Sequence, residues 1–549
     1  MDQRMEAKRK FTSSNNQRDQ DDFRKINNQV QSQIRNSKKE WEENQIREME
    51  SYFTNGDSKA YFEASKQTFG NKILESKDEK VLNNKGEICT IKSDIDEAWA
   101  GHGENLFSKS TNVLEEDNLR KFHEICAHHR EFTLVALDDK PTKMELMEAI
   151  DKVKCGKASG ADNLVIEMFK FIESPEMIET LYQLLVECWN LGRVPEDINL
   201  IVMTRLFKKG IRADMNNWRT ISLVQVIEKI FEMFLDIRMG YATNEYNRNI
   251  IPESQYGFTA GRSTADPLFC LKRIQELCKA KDQTLIQFFV DLTKAYDTIP
   301  RELFEMVLSY LGMPPKLIKF RMALFDKQKA CFRCNDGTNT RYFNMFQGLT
   351  QGGINSPLGF NCYFGIAIKE IQRRCKKMGI KFAIKINGNL FDTNFGSHTK
   401  AEFQKLMFDL LYADDAEFSV SNQKDAQELM IIMDEVFTIF GLTMSVIKTE
   451  IMVQRSSTDV EPLKVKLKDH TWEESITFKY VGCTMNNKNT NKDELDRRIQ
   501  LGFAAYLKYK SKFESSLKME AKIHLYVASI LKAKEIIKEW KFSKRTKFL

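Results

Sequence analysis

LLYADDAEFSV at residues 410–420 and IQFFVDLTKAYDTIP at residues 286–300 are the two stretches that decide the fold. Each begins as a short apolar run rich in β-branched and aromatic residues, and this pattern predicts a β-strand that ends at an acidic residue. The first run ends at Asp414 and Asp415, and the second ends at Asp291. Carboxylates brought to one point repel each other strongly in a poorly solvated site, so they need cations nearby. The two stretches therefore predict a site for two Mg²⁺ ions, with Mn²⁺ as an alternative ion, of the kind that serves phosphoryl transfer.

The same aspartates also have ordinary structural interpretations. Asp414 and Asp415 suit a hairpin turn, because aspartate tolerates turn geometry. Asp291 suits a helix N-cap, with its side chain on the amide of Thr293 or Lys294. The metal site is the favoured interpretation because the segments around these residues form a consistent series.

A glycine-rich bend lies between the two acidic sites, in QGLTQGGINSPLGFNCYF at residues 347–364. Gly352 and Gly353 allow the backbone to approach a ligand closely. Ser356 and Pro357 suit the cap and the first turn of a helix. The segments on either side of the series are WRTISLVQVIEKIFEMFLDIRM (218–239), QYGFTAGRST (255–264), GLTMSVIKTEIM (441–452) and FKYVGC (478–483). Together these segments predict a nucleic-acid polymerase.

In this order the segments resemble the reverse transcriptases of non-LTR (LINE-type) retrotransposons, close to the group whose polymerase follows an endonuclease in one polyprotein. The resemblance extends from about Asp138 to Asp496 and includes GKASGADNLVIEMFK (156–170) and RLFKKG (205–210). It implies an α+β right-hand polymerase, with fingers, a palm of antiparallel strands backed by helices, and a helical thumb. The implied boundaries are a polar helical N-terminal connector at 1–137, fingers at 138–285, a palm at 286–485 and a basic helical thumb at 486–549, with the whole reverse transcriptase domain at about 190–485.

The resemblance also implies the metal ligands, which would be Asp291, Asp414, Asp415 and the backbone carbonyl of Leu292. The metal would lower the pKa of the primer 3′-hydroxyl and neutralise charge on the triphosphate. Lys448 corresponds to a lysine that donates a proton to the leaving pyrophosphate, or it is a solvated lysine on a helix face. The implied substrates are an RNA template, a DNA primer and deoxynucleoside triphosphates.

Further residues correspond to nucleotide-binding positions of the family. Arg219, with Lys208 and Lys209 upstream, would bind the triphosphate, because guanidinium and ammonium groups both suit phosphate. Tyr296 lies five residues after Asp291. These enzymes place there a ring that excludes a 2′-hydroxyl, and a core tyrosine is the alternative.

Three further segments correspond to contacts with the nascent pair and the nucleic-acid strands. Gln351 and Gly352 would shape the floor beneath the nascent base pair. The Tyr-Val-Gly turn at residues 480–482 would grip the primer end. Arg262, beside Gly261, would meet a template phosphate, a contact that carries affinity without sequence information.

The sequence departs from the family at several positions. Thr220 replaces the usual proline of the second block, and Glu417 lies where an apolar residue is usual. On a strand, Glu417 shares a face with Asp415, so it is either an extra acid near the metals or a misfit in the core. Two alternatives stay open: a retrotransposon remnant that binds nucleic acid without polymerising, and an RNA-dependent RNA polymerase. Tyr296 and Tyr412 argue against the second, which usually has a smaller gate residue and Gly-Asp-Asp.

Charge is unevenly distributed along the chain. Lys and Arg exceed Asp and Glu by only 83 to 77 over 549 residues, but residues 501–549 contain twelve Lys and Arg against four Asp and Glu. Apolar residues at helical spacing lie between these lysines: Phe503, Tyr506, Leu507, Ile523, Tyr526, Val527, Ile530 and Leu531. The segment predicts basic amphipathic helices that follow a nucleic-acid backbone, or a solvated helical face.

The remaining features concern location and partners. No apolar run reaches the roughly 18 residues needed to cross a bilayer, and no signal peptide is evident. Eleven cysteines without a pairing pattern fit reduced thiols. These features favour the cytoplasm and nucleus, and the basic segments KRK (8–10) and KFSKRTKFL (541–549) could act as nuclear-import signals. A nick in target DNA would come from an endonuclease in trans or on a missing N-terminal part.

Overall fold

The structure, a computed structural model, describes residues 2–14, 16–55, 60, 64, 80–109, 115–171, 174–246, 250–385, 402–459, 461–514 and 519–527. The chain forms two compact units, one of Met1–Lys77 with Asn491–Leu549 and one of Asp78–Thr490. The expected apolar positions Ile530 and Leu531, and the basic segment 541–549, lie outside the described residues. No helix in the described ranges is long and apolar enough to cross a membrane.

The α-helices of the described residues are, in chain order, α1 (Asp2–Ser14), α2 (Gln17–Thr54), α3 (Lys92–Leu106), α4 (Glu116–His128), α5 (Lys143–Lys152), α6 (Glu167–Lys170), α7 (Pro175–Leu191), α8 (Val226–Gly240), α9 (Ala265–Ala280), α10 (Ala295–Thr298), α11 (Arg301–Tyr310), α12 (Pro315–Ala323), α13 (Ser356–Arg374), α14 (Gln423–Ile439), α15 (Lys492–Phe513) and α16 (Met519–Tyr526).

The strands are β1 (Val81–Leu82), β2 (Ile88–Cys89), β3 (Leu200–Phe207), β4 (Trp218–Leu223), β5 (Leu285–Val290), β6 (Lys329–Phe332), β7 (Phe343–Asn344), β8 (Ile380–Lys385), β9 (Glu402–Met407), β10 (Asp409–Tyr412), β11 (Asp415–Val420), β12 (Glu450–Gln454), β13 (Val465–Leu467), β14 (His470–Trp472), β15 (Glu474–Ser475), β16 (Thr477–Tyr480) and β17 (Cys483–Asn486).

The first unit is built from helices near both ends of the chain. The 38-residue helix α2 contains no Gly or Pro and is rich in Lys, Arg, Glu and Gln, which favour helix. Ile46 and Met49 of α2 are buried in a small apolar cluster, and Tyr509 and Phe513 of α15 pack against it. Other apolar residues of α15 are exposed, namely Leu495, Ile499, Leu501, Phe503 and Leu507.

A five-stranded sheet, here called the central sheet, lies in the second unit with the strand order β10-β11-β5-β12-β15. Its pairs are antiparallel, except that β15 runs parallel to β12. All six residues of β5 are buried, as expected for a strand covered on both faces. Ile286, Phe288 and Val290 face the main hydrophobic core. On the other face, Phe289 stacks on Phe478 of the β16–β17 hairpin at a ring separation of 4.3 Å.

A second sheet, here called the hairpin sheet, has the order β4-β3-β6-β7. β3 and β4 form an antiparallel hairpin, and β6 runs parallel to β3. Helix α3 packs on this sheet, where Trp99 is buried beside Phe332 and Trp218. A Cβ at Gly103 of α3 would lie only 2.4 Å from the Phe343 ring, so the glycine permits this close approach.

The main core of the second unit joins helices to the central sheet. Phe231 of α8, Phe304 of α11, Phe360 of α13 and Phe437 of α14 belong to the same buried cluster as Phe288. The α+β class predicted from the sequence is confirmed as a mixed fold of helices and sheets. All eleven cysteines are free thiols in the structure.

Candidate active site

Strand register brings the predicted acidic residues together at one end of the central sheet. Val290, the last residue of β5, pairs with Ala416 of β11 in an antiparallel ladder. Asp291 therefore follows β5 directly opposite the start of β11, where Asp415 lies. Asp414 precedes Asp415 in the tight turn between β10 and β11. The turn residue Ala413 has a left-handed φ of 57°, a conformation that is uncommon for a residue with a side chain.

The carboxylates disfavour each other's ionisation. Burial raises the pKa of Asp415 to about 7, and the Asp414 and Asp291 carboxylates add to the rise, although the Asp415 side chain still reaches solvent. Burial also raises the pKa of Asp414, again with a contribution from Asp291. Arg219 and Lys208 act in the opposite direction on Asp414. The site thus concentrates more negative charge than it neutralises, and a cation would relieve the repulsion.

Lys448 provides part of the neutralisation in this structure. Its Nζ donates to Asp291 Oδ1 at 3.0 Å, and both side chains remain partly exposed. The loop that carries Lys448 is tied to the same strand end, because the amide of Ser445 donates to the Asp291 carbonyl at 2.8 Å. The backbone of Leu292 forms a bridge with Met444 in this loop. Lys448 is therefore held within reach of the acidic site.

The donor set has the right chemistry for a divalent ion, since carboxylate oxygens are the ligands that Mg²⁺ prefers. Within the described ranges, no group of three His, Cys, Asp or Glu side chains is close enough, as the side chains stand, to hold a metal ion. The Lys448 ammonium instead bonds to Asp291. The carboxylates consequently suit a metal by type and by strand position, and Lys448 contacts only one oxygen of Asp291.

Basic residues from the hairpin sheet share the electrostatic environment of these acids. Arg219 lies on β4 opposite Leu206, and Lys208 follows β3, with its amide donating to the Asn217 carbonyl at 2.9 Å. Burial lowers the pKa of Lys208, and the positive charges of Arg219 and Lys448 lower it further. Lys208 is nevertheless partly open to solvent, and the side chains of Lys209 and Arg219 are exposed. They are thus free to contact an anion that approaches the acidic site.

Tyr296 lies between the acidic site and the main core. Its ring stacks on Phe360 at 4.3 Å with an interplanar angle of 14°, and the amide of Leu349 donates to its carbonyl at 2.8 Å. Burial raises the pKa of its hydroxyl, with an addition from the nearby Asp414 carboxylate. That hydroxyl is buried without a hydrogen-bond partner among the described residues. Tyr296 is therefore both a packed ring and a neighbour of Asp414.

Gln351 and Gly352 lie on a loop that contacts β4. The amide of Ser222 donates to the Gln351 carbonyl at 2.7 Å. Gly352 has a φ of +116°, and a Cβ there would lie 2.5 Å from the Ser222 carbonyl oxygen, so only glycine fits without rearrangement. The Gln351 side chain donates to Asp297 Oδ2 at 3.5 Å.

Asp297 and His102 are site residues that sequence reasoning missed. Asp297 is buried, and burial raises its pKa to about 7 against the opposing charges of Lys294, Lys208 and Arg219. His102, on α3, has a pKa lowered to about 4 by burial and by Lys294. The position of Asp297 six residues after Asp291 was a usable signal, whereas no local pattern indicated that α3 would reach this region.

Arg262 and the turn at residues 480–482 make hydrogen bonds and ring contacts with other parts of the chain. Arg262 donates from Nη1 to the Gln255 carbonyl at 3.0 Å, and its guanidinium lies 5.1 Å from the Tyr256 ring centre. The Tyr480 hydroxyl is buried and donates to the Leu410 carbonyl at 3.1 Å. Positive φ angles of 44° at Val481 and 83° at Gly482 form the turn between β16 and β17.

Glu417 lies in a buried polar network. Its Oε1 accepts from Gln287 Nε2 at 3.0 Å and from Ser419 Oγ at 2.5 Å, and Gln287 in turn accepts from Gln275 Nε2 at 2.8 Å. Burial raises the pKa of Glu417 to about 8. These hydrogen bonds compensate the burial of Oε1, whereas Oε2 has no hydrogen-bond partner among the described residues.

The QYGFTAGRST segment is attached to the turn that carries Asp414. Gln255 accepts through Oε1 from the amides of Gly257 at 2.8 Å and Ala413 at 2.9 Å. A Cβ at Gly257 would lie 2.3 Å from the Ala413 nitrogen. Phe258 follows with a φ of 55° and a side chain that is 61% exposed. The segment thus presents an aromatic ring from a loop fixed to the acidic turn.

Comparison with known proteins gives a consistent picture. The family model described as reverse transcriptase (RNA-dependent DNA polymerase) matches residues 207–485. The 149 kDa protein of transposon TX1 from Xenopus laevis is 23% identical over 199 residues, which cover 36% of this chain and 15% of that protein. The probable RNA-directed DNA polymerase from transposon X-element of Drosophila melanogaster is 23% identical over 237 residues, 40% of this chain and 24% of that protein.

A third relative belongs to the same class of mobile elements. The Pol polyprotein from type-1 retrotransposable element R2 of Popillia japonica is 21% identical over 233 residues, 42% of this chain and 31% of that protein. The chain therefore spans less than a third of the length of these curated relatives. All predicted site residues fall within the matched range 207–485.

Proposed function

Because the chain belongs to the reverse transcriptase (RNA-dependent DNA polymerase) family, we propose that it extends the 3′-end of a DNA primer with deoxynucleotides on an RNA template. The observation that supports this most directly is the antiparallel pairing of Val290 with Ala416. Asp291 comes directly after Val290 and Asp415 directly before Ala416, so both acids lie at the same end of two adjacent strands. In this proposal the chain is the polymerase part of a non-LTR retrotransposon.

Asp291, Asp414 and Asp415, with the Leu292 carbonyl, would hold two Mg²⁺ ions or Mn²⁺ in their place. When bound, the ions acidify the primer 3′-hydroxyl and neutralise charge on the triphosphate. Lys448 would leave Asp291 and donate its proton to the departing pyrophosphate, for which its Nζ is already within the site.

Exposed cations from the hairpin sheet would bind and orient the nucleotide. The guanidinium of Arg219 suits bidentate contact with phosphate, and Lys208 and Lys209 act as point charges. Tyr296 would exclude a 2′-hydroxyl, supported by its packing on Phe360 and its nearness to Asp414. The backbone at Gln351 and Gly352 would form the floor beneath the nascent base pair.

A right-hand arrangement would place these parts around the nucleic acid. We assign the fingers to residues 138–285, the palm to 286–485 and the thumb to 486–549, with residues 1–137 as connector. The turn at 480–482 would hold the primer end, and the segment with Arg262 would face the template. A nick in chromosomal DNA would come from an endonuclease in trans or on a part outside this sequence. With nucleic-acid substrates of this kind, we would expect the protein in the cytoplasm and nucleus.

Primer extension tests this function. The purified chain is incubated with a poly(rA) template, an oligo(dT) primer, dTTP and Mg²⁺, beside Asp414→Ala and the control Asp326→Ala, which changes an exposed acid outside the site. We expect extension by the parent chain and by the control, and extension at background level for Asp414→Ala. If the parent chain binds the primer–template but extends nothing, the protein is a nucleic-acid-binding remnant.

A further inference from the structure

The loop that carries Gln351 and Gly352 is fixed at its start by a buried arginine. Arg301, from the first turn of α11, donates from Nε to the Gly348 carbonyl at 3.1 Å and from Nη1 to the Met345 carbonyl at 2.8 Å. Its Nη2 donates to Gln328 Oε1 at 2.6 Å. The Ser222 amide fixes the middle of the loop through the Gln351 carbonyl, as described above. The Arg301 side chain therefore holds the start of the loop, and the backbone of β4 holds its middle.

Glu232 of α8 fixes the far end of the same loop. Its Oε2 accepts from the Ile354 amide at 2.6 Å. A Cβ at Gly353 would lie 2.7 Å from Glu232 Oε1, so glycine at this position leaves the space that the carboxylate occupies. One helical turn later, Asp236 accepts from Asn355 Nδ2 at 3.2 Å. Both carboxylates thus meet the loop where helix α13 begins, and negative charge is favourable at a helix N-terminus.

Burial in the protein interior makes the ionised form of the Glu232 carboxyl energetically unfavourable. The residue is 1% exposed, and burial raises the pKa of its carboxyl. The nearest counter-charge is Arg321, whose Nη2 lies 4.0 Å from Glu232 Oε1 and whose side chain is fully buried. The Arg321 nitrogens have no hydrogen-bond partner among the described residues. Buried ion pairs of this kind can often be replaced by apolar residues without loss of stability, so stability alone gives little reason for this arrangement.

We propose that Glu232 is a positioning residue for nucleotide selection: through Ile354 and Gly353 it fixes the backbone at Gln351 and Gly352 under the incoming nucleotide. This inference rests on the proposed function, in which that backbone is the floor of the nascent base pair. The Glu232 carboxylate contacts the loop within three residues of Gln351. A displacement of about 1 Å in a reacting geometry can cost about a hundredfold in rate, so a loosened floor has measurable effects.

Glu228 provides a matched control on the same helix. It is buried one turn before Glu232, and its Oε2 has no hydrogen-bond partner among the described residues. Glu228→Gln removes a buried carboxylate at nearly the same depth without removing the hydrogen bond to Ile354. Glu232→Ala removes that acceptor, whereas Glu232→Gln retains an oxygen that can accept from the Ile354 amide. The three variants separate loss of the loop contact from loss of a buried charge.

Steady-state extension with dTTP is measured for the four proteins under identical conditions. For Glu232→Ala we expect KM for dTTP to rise about tenfold with a smaller change in kcat, and misinsertion of dCTP to increase, because the nascent pair is less constrained. Glu232→Gln should restore most of the parent KM, and Glu228→Gln should leave it unchanged. Equal KM changes for Glu232→Ala and Glu228→Gln, or a fall in kcat alone, would overturn the assignment.

Amide hydrogen exchange supplies a readout that does not depend on activity. The Ile354 amide should exchange faster in Glu232→Ala than in the parent chain, and at the parent rate in Glu228→Gln. If Glu232→Ala does not fold, Gly353→Ala serves instead, because its Cβ would displace the carboxylate while leaving the charge in place. Unchanged Ile354 exchange in both variants would refute the anchoring role. A parent chain that extends no primer would refute the proposed function instead, and the exchange result would still decide whether Glu232 holds the loop.

Discussion

Replacing Glu417 by glutamine should stabilise the protein more at pH 8 than at pH 6. Glu417 is fully buried on β11, and burial raises the pKa of its carboxyl from 4.5 to about 8. Hydrogen bonds from Ser419 and Gln287 oppose the rise, and the Asp409 carboxylate adds to it. From the β16–β17 hairpin, the buried Tyr480 also faces this group. The carboxyl is therefore protonated in the folded protein at pH values where it is ionised in the unfolded chain.

The sign and size of the effect follow from proton linkage. Below pH 4.5 the group is protonated in both states, and above about pH 8 it is ionised in both. Between these values the free energy of unfolding falls by about 1.4 kcal/mol per pH unit, because folding takes up a proton. Because the folded carboxyl is itself half ionised at pH 8, the loss between pH 6 and pH 8 is about 2 kcal/mol. Glutamine has nearly the same shape and does not titrate, so Glu417→Gln removes this loss.

Urea unfolding at pH 6 and pH 8, with EDTA present, measures the prediction. The stability of Glu417→Gln relative to the parent chain should increase by about 2 kcal/mol between the two pH values. Glu428→Gln is the control, since Glu428 is exposed on α14, and its stability relative to the parent chain should not change. The reasoning is refuted if Glu417→Gln and the parent chain differ in unfolding free energy by the same amount at pH 6 and at pH 8. Glu417 would then be ionised in the folded protein at both pH values.

Two further substitutions test the packing and the selectivity of the site. Arg238→Met should lower the free energy of unfolding by about 3–5 kcal/mol, because it leaves Glu145 without the partner that now donates to both its oxygens at 2.7 and 3.0 Å. Denaturant unfolding measures this, and a loss below about 1 kcal/mol would indicate an ion pair that contributes as little as one on the surface. Tyr296→Ala should reduce the preference for dTTP over UTP by at least about tenfold, because a ring is removed beside Asp414, with the exposed Tyr342→Ala as control. The ratio of kcat/KM values measures this, and an unchanged ratio would make Tyr296 a core residue only.

The acidic strand ends were predictable because their pattern is local. The apolar residues before Asp291 and before Asp414 mark strands by composition, and the structure forms β5 and β10 there. The adjacency of these aspartates depends on antiparallel register, which β5 does not reveal by alternation, because its residues are buried on both faces of the sheet. The clustering of the aspartates at one end of the central sheet was predictable, but the hydrogen bonds that they form were not.

Features set by long-range partners were not predictable. Ile95, Ala98 and Trp99 have the spacing of an amphipathic helix, but the sequence does not show that α3 covers the hairpin sheet, and residues 1–137 were therefore predicted only as a polar connector. The same limitation applies to the contacts of Arg262, whose Nη1 donates to the Gln255 carbonyl of its own loop. Glu232 gave no signal either, because its role depends on a glycine more than a hundred residues later.

The position of β5 in the middle of the central sheet has a consequence for synthesis of the chain. β5 ends at residue 290, and its neighbours β11 and β12 begin only at residues 415 and 450. At a ribosomal rate of about 5–20 residues per second, both edges of this apolar strand stay unpaired for roughly 6–25 s. An unpaired apolar strand is a site of aggregation, so nascent chains of this protein should depend on chaperones during that interval. Chains that terminate before residue 414 carry an exposed β5 and one of the three aspartates, and ribosome stalling in this region would yield aggregation-prone products without a site.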